Sequence, residues 1–486
     1  MLYTLPCSRF LICEDRFDFL DSNSTEKHPF WDILTVILSN NATSTSELID
    51  QLEFIGITLR SSAKDCDYQF LRDFMIKWIA DGGRARFFDK VWPRLVGFAL
   101  EMPSLFPEFT MRVLSAEHEQ RKVVLSRRQV ACLVVHQFLG TFSGPPFKTE
   151  SSQDFRIFFS SSGGHERAKE AYLTALFTYF ERIAGGVIDV DDSHHSISFR
   201  LKTFNKEDER TLSEAENCLF GPMSVVYEPT PTTATKYLGF PDGACVVSAN
   251  KDVGFGSTGT QEEMHVGCSP EACPIVLLTP PLGDKDVLVL QGPEAIVSMT
   301  GHGRGAHLDE VLPPPTSLRE CHSQPSLSGR YSDWNERVML FMDALELDMC
   351  NVPDGQVPDL LHGNVDRELR KAYNAFSSRR EDEGPSSHLS HVVTGLWGCG
   401  AFGGNWEIKA LIQWCAASIA DAPLTFVCAG ENQSEFARDL EKFVKLGREK
   451  RWRVGNVLRV LRRLGPGDEG AKGVFDLLAR TLDGEC

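Results

Sequence analysis

The chain has 486 residues, 42% of them apolar, and a formal net charge of −17. That length exceeds one ordinary core and predicts two to three domains, and the composition is globular, not disordered or fibrous. The acidic balance argues against broad nucleic-acid binding, which needs a basic footprint, but leaves room for a polyanion held locally by backbone amides.

The opening MLYTLPCSRFLICEDRFDF meets charges too early to build the apolar core of a signal peptide. No run of about eighteen apolar residues follows, so no membrane-spanning helix is expected. The first two hundred residues read mostly as helix. In RQVACLVVHQFLG, Val130, Leu133, Val134 and Phe138 fall on one face at helical spacing, and in EAYLTALFTYFERI so do Leu173, Leu176, Phe177, Phe180 and Ile183. Between them SGPPFKTESSQD is a loop by its Pro, Gly and Ser content. Nothing in this half suggests chemistry.

From about Pro222 the texture changes. ACVVS (244–248), PIVLL (274–278), DVLVL (286–290), RVMLF (337–341) and LTFVC (424–428) are short apolar runs that predict buried strands. Helical patterns interleave: DRELRKAYNAF (366–376) and NWEIKALIQWCAASIA (405–420), the latter with Asn405 as N-cap and an apolar stripe of Ile408, Leu411, Ile412, Cys415 and Ile419. Strands alternating with helices imply an α/β layered domain. EPTPTTATK, HSQPSLSGRYSDWNE and SSRREDEGPSSHLS are polar enough for surface loops. The basic segment REKRWRVGNVLRVLRRL (Arg448–Leu464) reads as one late amphipathic helix, with Val457, Leu458 and Leu461 inward; a polymer-binding patch is the alternative.

Fourteen cysteines are scattered without a CxxC pair, and the closest two, Cys268 and Cys273, match no zinc spacing. Thirteen histidines include His194–His195 but no HExxH. A reducing compartment, cytosol or nucleus, is expected, with thiols serving as small apolar side chains and no metal site.

Two loops carry the chemistry. NKDVGFGSTGTQEE (Asn250–Glu263) contains G-x-G-x-x-G after a predicted strand, the weak signature of a dinucleotide-binding turn. Three features oppose that reading: the preceding half is helical, Pro270 cuts short any following helix, and Glu262–Glu263 put acids where a pyrophosphate would lie. TGLWGCGAFGG (Thr394–Gly404) packs five glycines before the 405–420 helix, with Trp397 and Phe402 between them. Such a loop can turn its N–H groups inward as an anion nest at a helix N-terminus. A diphosphate cradle and a carboxylate pair suggest cleavage at a nucleotide sugar, where an acid protonates the leaving oxygen and a carboxylate activates water or steadies the cation. Taken alone, Glu262–Glu263 would read as a solvated helix start.

Together these residues resemble the poly(ADP-ribose) glycohydrolase family, whose signature is a glycine triplet, a spacer and Gln-Glu-Glu. Here it stands as Gly254-Phe255-Gly256, Ser257–Thr260 and Gln261-Glu262-Glu263. The family's second landmark appears as Thr394–Gly404 followed by Lys409–Gln413. SRRQVACLVVHQFLGTF, the stretch around Phe177–Phe180 and the N-terminal LPCS are similar to the family's upstream region.

The resemblance implies an α/β fold with a macrodomain-like mixed sheet between helices, preceded by an α-helical accessory domain. The expected borders are 1–205 for the helical domain, 206–465 for the catalytic domain and 466–486 for a tail or last helix. It implies hydrolysis of ribose–ribose O-glycosidic bonds of poly(ADP-ribose) without metal or cofactor. Glu263 would be the general acid and base and Glu262 would position the ribose. Asn250, Gly254, Gly256, Gln261 and His302 would add substrate contacts, and Leu396, Trp397, Gly398, Cys399, Gly400, Ala401 and Phe402 would wrap the diphosphate and adjacent ribose. Expected partners are poly(ADP-ribose) and ADP-ribosylated proteins, with no direct nucleic acid and no membrane, for a monomer of nucleus or cytoplasm that is not secreted. Departures from the pattern are Phe255 for the middle glycine, a shorter spacer, Val247 for an acid, Leu396 for an asparagine, Met299 and His302 for a tyrosine pair, and Ala429 for the aromatic that stacks on adenine. They motivate the alternative of an ADP-ribose-binding macrodomain module with weakened catalysis.

Overall fold

A computed structural model describes residues 1–20, 27–60, 67–82, 86–117, 121–145, 147, 153–192, 195–240, 242–314, 334–378, 389–468, 471 and 473–483. Two units are present: Met1–Phe199 with Gly254–Pro281 and Gly292–Tyr331, and Arg200–Val253 with Leu282–Gln291 and Ser332–Cys486. The acid-bearing segment therefore folds with the first, mainly helical unit.

In that unit the two expected helices form as Arg127–Leu139 and Glu166–Ala184. The first starts on a capping box, Ser126 with Gln129, and ends on Gly140 in the left-handed conformation (φ 68°). Its burial is wider than the single face predicted: Ala131, Cys132, Val135, His136 and Gln137 are buried too. A helix buried all round sits at the centre of a unit. Phe138 meets Phe177 and Phe180 edge-on, with ring centroids 5.8 and 5.4 Å apart. PIVLL departs from expectation. It forms a short helix, Ile275–Leu278, whose four residues are all buried. Burial on every side makes an apolar run of that length readable as either structure.

The second unit holds a mixed sheet. Six of its strands lie in the order Asp286–Gln291, Val338–Asp343, Ala244–Ala249, Val392–Thr394, Leu424–Ala429, Met223–Glu228. Neighbours are parallel except the first pair, where Leu290 stands opposite Met339 in antiparallel register. All six residues of Val338–Asp343 are buried, which is why its sequence is continuously apolar instead of alternating. Asn364–Phe376 and Trp406–Ile419 are the expected helices, and Val246, Leu340, Leu369, Leu411 and Trp414 share one core. The basic segment is divided, not continuous. Arg448 and Glu449 finish the helix Ser434–Glu449, Arg451 takes φ 54°, and a new helix, Val454–Arg463, buries Val457, Leu458 and Leu461.

The expected loop EPTPTTATK runs from the end of the Met223–Glu228 strand into the short turn Thr235–Tyr237. HSQPSLSGRYSDWNE and SSRREDEGPSSHLS fall largely outside the described residues, as do parts of SGPPFKTESSQD. Among the described residues eleven cysteines are unpaired, and burial pushes the Cys7 thiol up to about 11. No helix among them is long and apolar enough to cross a membrane.

Candidate active site

In the first unit the short helix Gln261–Gly267 is fixed at its start by a second capping box. Thr260 Oγ1 accepts from the Glu263 amide at 3.3 Å, and Glu263 Oε2 accepts from the Thr260 amide at 3.1 Å. The same Oε2 also accepts from the Thr258 amide at 2.7 Å and from Thr258 Oγ1 at 2.8 Å. Three donors on one oxygen leave Oε1 as the oxygen turned toward Gly256. A Cβ on Gly256 would lie 1.9 Å from it.

Glu262 is 9% exposed, and its Oε1 accepts from the Gly254 amide at 2.9 Å. A Cβ on Gly254 would come within 2.9 Å of Val276. The glycines flanking Phe255 are thus needed for space, one against the helix-borne carboxylate and one against the core. Both acids stand in the first turn of the helix, Glu262 buried and Glu263 half-buried. Gln261 lies 3.4 Å from His265 Nε2 through its side-chain amide, and His265 Nδ1 donates to the Gln261 carbonyl at 2.8 Å.

His302 belongs to the same neighbourhood: Gly303, its successor, donates its amide to the Gly259 carbonyl at 2.8 Å, and the His302 side chain is exposed. Met299 is fully buried and serves the core. Tyr172, which no local motif marks, lies against Gly267. A Cβ there would fall 2.3 Å from its ring. Burial first, and the negative charge of Glu263 second, hold the Tyr172 phenol well above its usual range.

In the second unit Asn250 follows the Ala244–Ala249 strand, and its Oδ1 accepts from the Asp252 amide at 3.0 Å. The glycine-rich loop hangs between a strand end and a helix start. Thr394 Oγ1 donates to Gln413 Oε1 at 2.5 Å, and Gln413 Nε2 donates to the Gly395 carbonyl at 3.0 Å. Trp397 is fully buried and donates its indole N–H to the Met342 carbonyl at 2.9 Å, so its ring supports the loop from within. Leu396, Cys399 and Phe402 are half-buried, and Gly400 and Ala401 are exposed. Gly398 has φ 73° and no room for a side chain, since a Cβ would lie 2.4 Å from Ala344. The amides of Gly398, Gly400, Ala401 and Phe402 meet no acceptor among the described residues, as an anion nest requires.

Beneath this loop lies a buried chain of alternating charge. Lys409 Nζ sits 4.9 Å over the Trp397 ring, pairs with Glu368, and lies 3.9 Å from Asp359. Glu368 also meets Arg367, and Arg367 and Lys371 each reach Asp343 at 2.7 Å. Asp359 Oδ2 accepts from the Asn405 amide at 2.9 Å, and Asn405 Oδ1 caps the next helix through the Ile408 amide at 3.1 Å. In such a network the cost of desolvating each charge offsets much of the attraction between them. Val247 is fully buried inside its strand, and Ala429 pairs with Glu228, which accepts from Tyr237 and Lys236. Among the described residues no group of three or more His, Cys, Asp or Glu is arranged to hold a metal ion.

Comparison with known proteins agrees with this architecture. Residues 235–436 match the model "Poly (ADP-ribose) glycohydrolase (PARG), Macro domain fold", and residues 80–200 match the model of the same family's helical domain. "Poly(ADP-ribose) glycohydrolase 1" of Caenorhabditis elegans is 27% identical over 413 residues, covering 82% of this chain and 47% of that protein. "Poly(ADP-ribose) glycohydrolase 2" of the same organism is 26% identical over 324 residues, 64% of this chain and 60% of that protein. "Poly(ADP-ribose) glycohydrolase 1" of Arabidopsis thaliana is 24% identical over 476 residues, 83% of this chain and 82% of that protein. The chain thus spans 47% and 60% of the two nematode proteins. The fold is a macrodomain fold with a mixed sheet, preceded by a helical domain. The chain belongs to the poly(ADP-ribose) glycohydrolase family.

Proposed function

We propose that the chain hydrolyses the ribose–ribose O-glycosidic bonds of poly(ADP-ribose) and releases ADP-ribose. The observation that carries this reading is Glu263, held on one oxygen by three donors beside the nearly buried Glu262. In its acid form Glu263 gives its proton to the leaving ribose oxygen as the C–O bond breaks and oxocarbenium-like charge builds on the sugar. The carboxylate so formed then takes a proton from the attacking water. Because Oε2 is already occupied by Thr258 and Thr260, Oε1 is assigned to both transfers. Glu262 accepts from ribose hydroxyls and orients the sugar, with the Gly254 amide holding its Oε1. Asn250, Gln261 and His302 supply further substrate contacts, and the amides of residues 396–402 hold the diphosphate.

The test is incubation with poly(ADP-ribose) and chromatography of the products. Free ADP-ribose from the wild type, lost on Glu263→Gln, is the expected result; full rate in that variant would remove Glu263 from the mechanism. A second reading, an ADP-ribose-binding module, is favoured by Val247, whose buried side chain offers no acid where the family carries one. Calorimetry separates the two: binding of ADP-ribose without turnover of polymer selects the module. The borders at 205 and 465 belong to the same proposal and are read by limited proteolysis.

A further inference from the structure

The residue that breaks the family's glycine triplet has a defined place. Phe255 is 7% exposed, and its ring centroid lies 5.2 Å from that of Phe155 and 5.8 Å from that of Phe158. Phe155 and Phe158 stack on each other at 5.8 Å, and Phe158 is 5.2 Å from Tyr172. Tyr172 in turn packs on Gly267, the last residue of the acid-bearing helix. The aromatic group therefore grips both ends of one segment: Phe255 before the acids and Gly267 after them.

The neighbours of Phe255 are the residues that define the carboxylates. Gly254 donates to Glu262, and Gly256 leaves the space that Glu263 Oε1 fills. A rotation of residue 255 moves both. Only Ser257–Thr260 separate Gly256 from the helix, and Thr258 and Thr260 are already committed to Glu263. So short a spacer leaves little backbone to secure the loop, and a buried aromatic side chain supplies the fixed point that a glycine cannot.

We infer that Phe255 is a positioning residue for the acid pair, acting by seating its ring in the aromatic cluster of Phe155, Phe158 and Tyr172. The inference rests on the hydrolase reading for its catalytic consequence, but the anchoring itself does not. A glycine at 255 releases the loop, so Glu263 spends less time with Oε1 in place. Turnover falls while the phosphate-binding amides, on a different loop, keep their ligand.

The experiment compares wild type, Phe255→Gly, Phe255→Leu and Phe155→Ala in the full chain. Two readouts are taken: amide hydrogen exchange of peptides covering 254–267, and kcat and KM on poly(ADP-ribose). Phe255→Gly is expected to speed exchange of residues 254–263 at least tenfold and to lower kcat at least tenfold, with KM within threefold. Phe255→Leu should recover most of both, and Phe155→Ala, remote from the acids in sequence, should reproduce part of the loss. Unchanged exchange in Phe255→Gly, or a kcat within twofold of wild type, overturns the inference. If the wild type releases no ADP-ribose while Phe255→Gly still loosens 254–263, the anchor stands and the hydrolase reading falls. Should Phe255→Gly not fold, Phe155→Ala and Phe255→Leu decide by the same two readouts.

Discussion

Glu263 occupies the space that a side chain on Gly256 would need: a Cβ there would sit 1.9 Å from Oε1 and 2.7 Å from the carboxyl carbon. The obstacle is the end of a flexible side chain, so an added methyl displaces the carboxylate instead of the backbone. Gly256→Ala is therefore expected to fold with little change in Tm but to lose roughly 100-fold in kcat, the scale of an ångström's misplacement of a reacting group. Thermal melts and steady-state turnover of poly(ADP-ribose) check this; a variant that keeps wild-type kcat would show that Oε1 is not the working oxygen.

Thr258 gives Glu263 two of its three donors, one from the backbone and one from the hydroxyl. Thr258→Val removes only the hydroxyl, at nearly constant volume. A typical hydrogen bond contributes roughly 0.5–1.5 kcal/mol, so kcat should fall about three- to tenfold. Thr260→Ala removes the N-cap acceptor and should cost about 1 kcal/mol in chemical denaturation. The two variants separate orientation of the acid from stability of the helix.

Gly398 tests the other loop. Alanine there meets both an unfavourable φ of 73° and Ala344 at 2.4 Å. The nest amides shift, and the Kd for ADP-ribose measured by calorimetry should rise about tenfold, with a smaller change in kcat. Equal losses in kcat and binding would mean that the loop acts on the chemical step itself.

His136 gives the unit that holds the acids a pH limit. It is fully buried, with Nδ1 2.8 Å from Thr141 Oγ1 and Nε2 3.0 Å from the Ala99 carbonyl, and burial lowers its pKa to about 4. The unfolded chain, with a histidine near 6.5, binds more protons than the fold between pH 6.5 and 4. Stability is therefore complete above 6.5 and lost as pH falls toward 4, by roughly 3 kcal/mol for this shift. His136→Gln should flatten the acid limb of a Tm-against-pH curve; identical limbs would assign acid unfolding to other groups.

Much of this architecture can be read from the sequence where burial forces composition. LTFVC is a strand that buries alternate residues, Leu424, Phe426 and Cys428; ACVVS, DVLVL and RVMLF are strands because both faces are covered, and Asn405 caps its helix as its residue type predicts. PIVLL fails for the same reason the others succeed: an apolar run buried on all sides carries no period. The break at Arg451 is a left-handed helix C-cap, closed by the Arg451 and Trp452 amides on the Arg448 and Gly447 carbonyls, and no glycine marks it in the sequence. The candidate site carries a local signal in its sequence. Thr260-Gln261-Glu262-Glu263 is a T-x-x-E capping box, which ties Glu263 to the start of its helix. What no local pattern carries is distance: the partners of Phe255 stand about a hundred residues upstream, and Lys409 finds Glu368 across 41 positions.

The measurement that bears most directly on the account is product analysis of poly(ADP-ribose) treated with wild-type chain and with Glu263→Gln, alongside polymer binding by each. Release of ADP-ribose by the wild type, its loss in the variant, and retained polymer binding in both are the predicted results. A wild type that binds polymer and releases nothing, or a variant at full rate, would contradict the assignment of Glu263 as the acid and base.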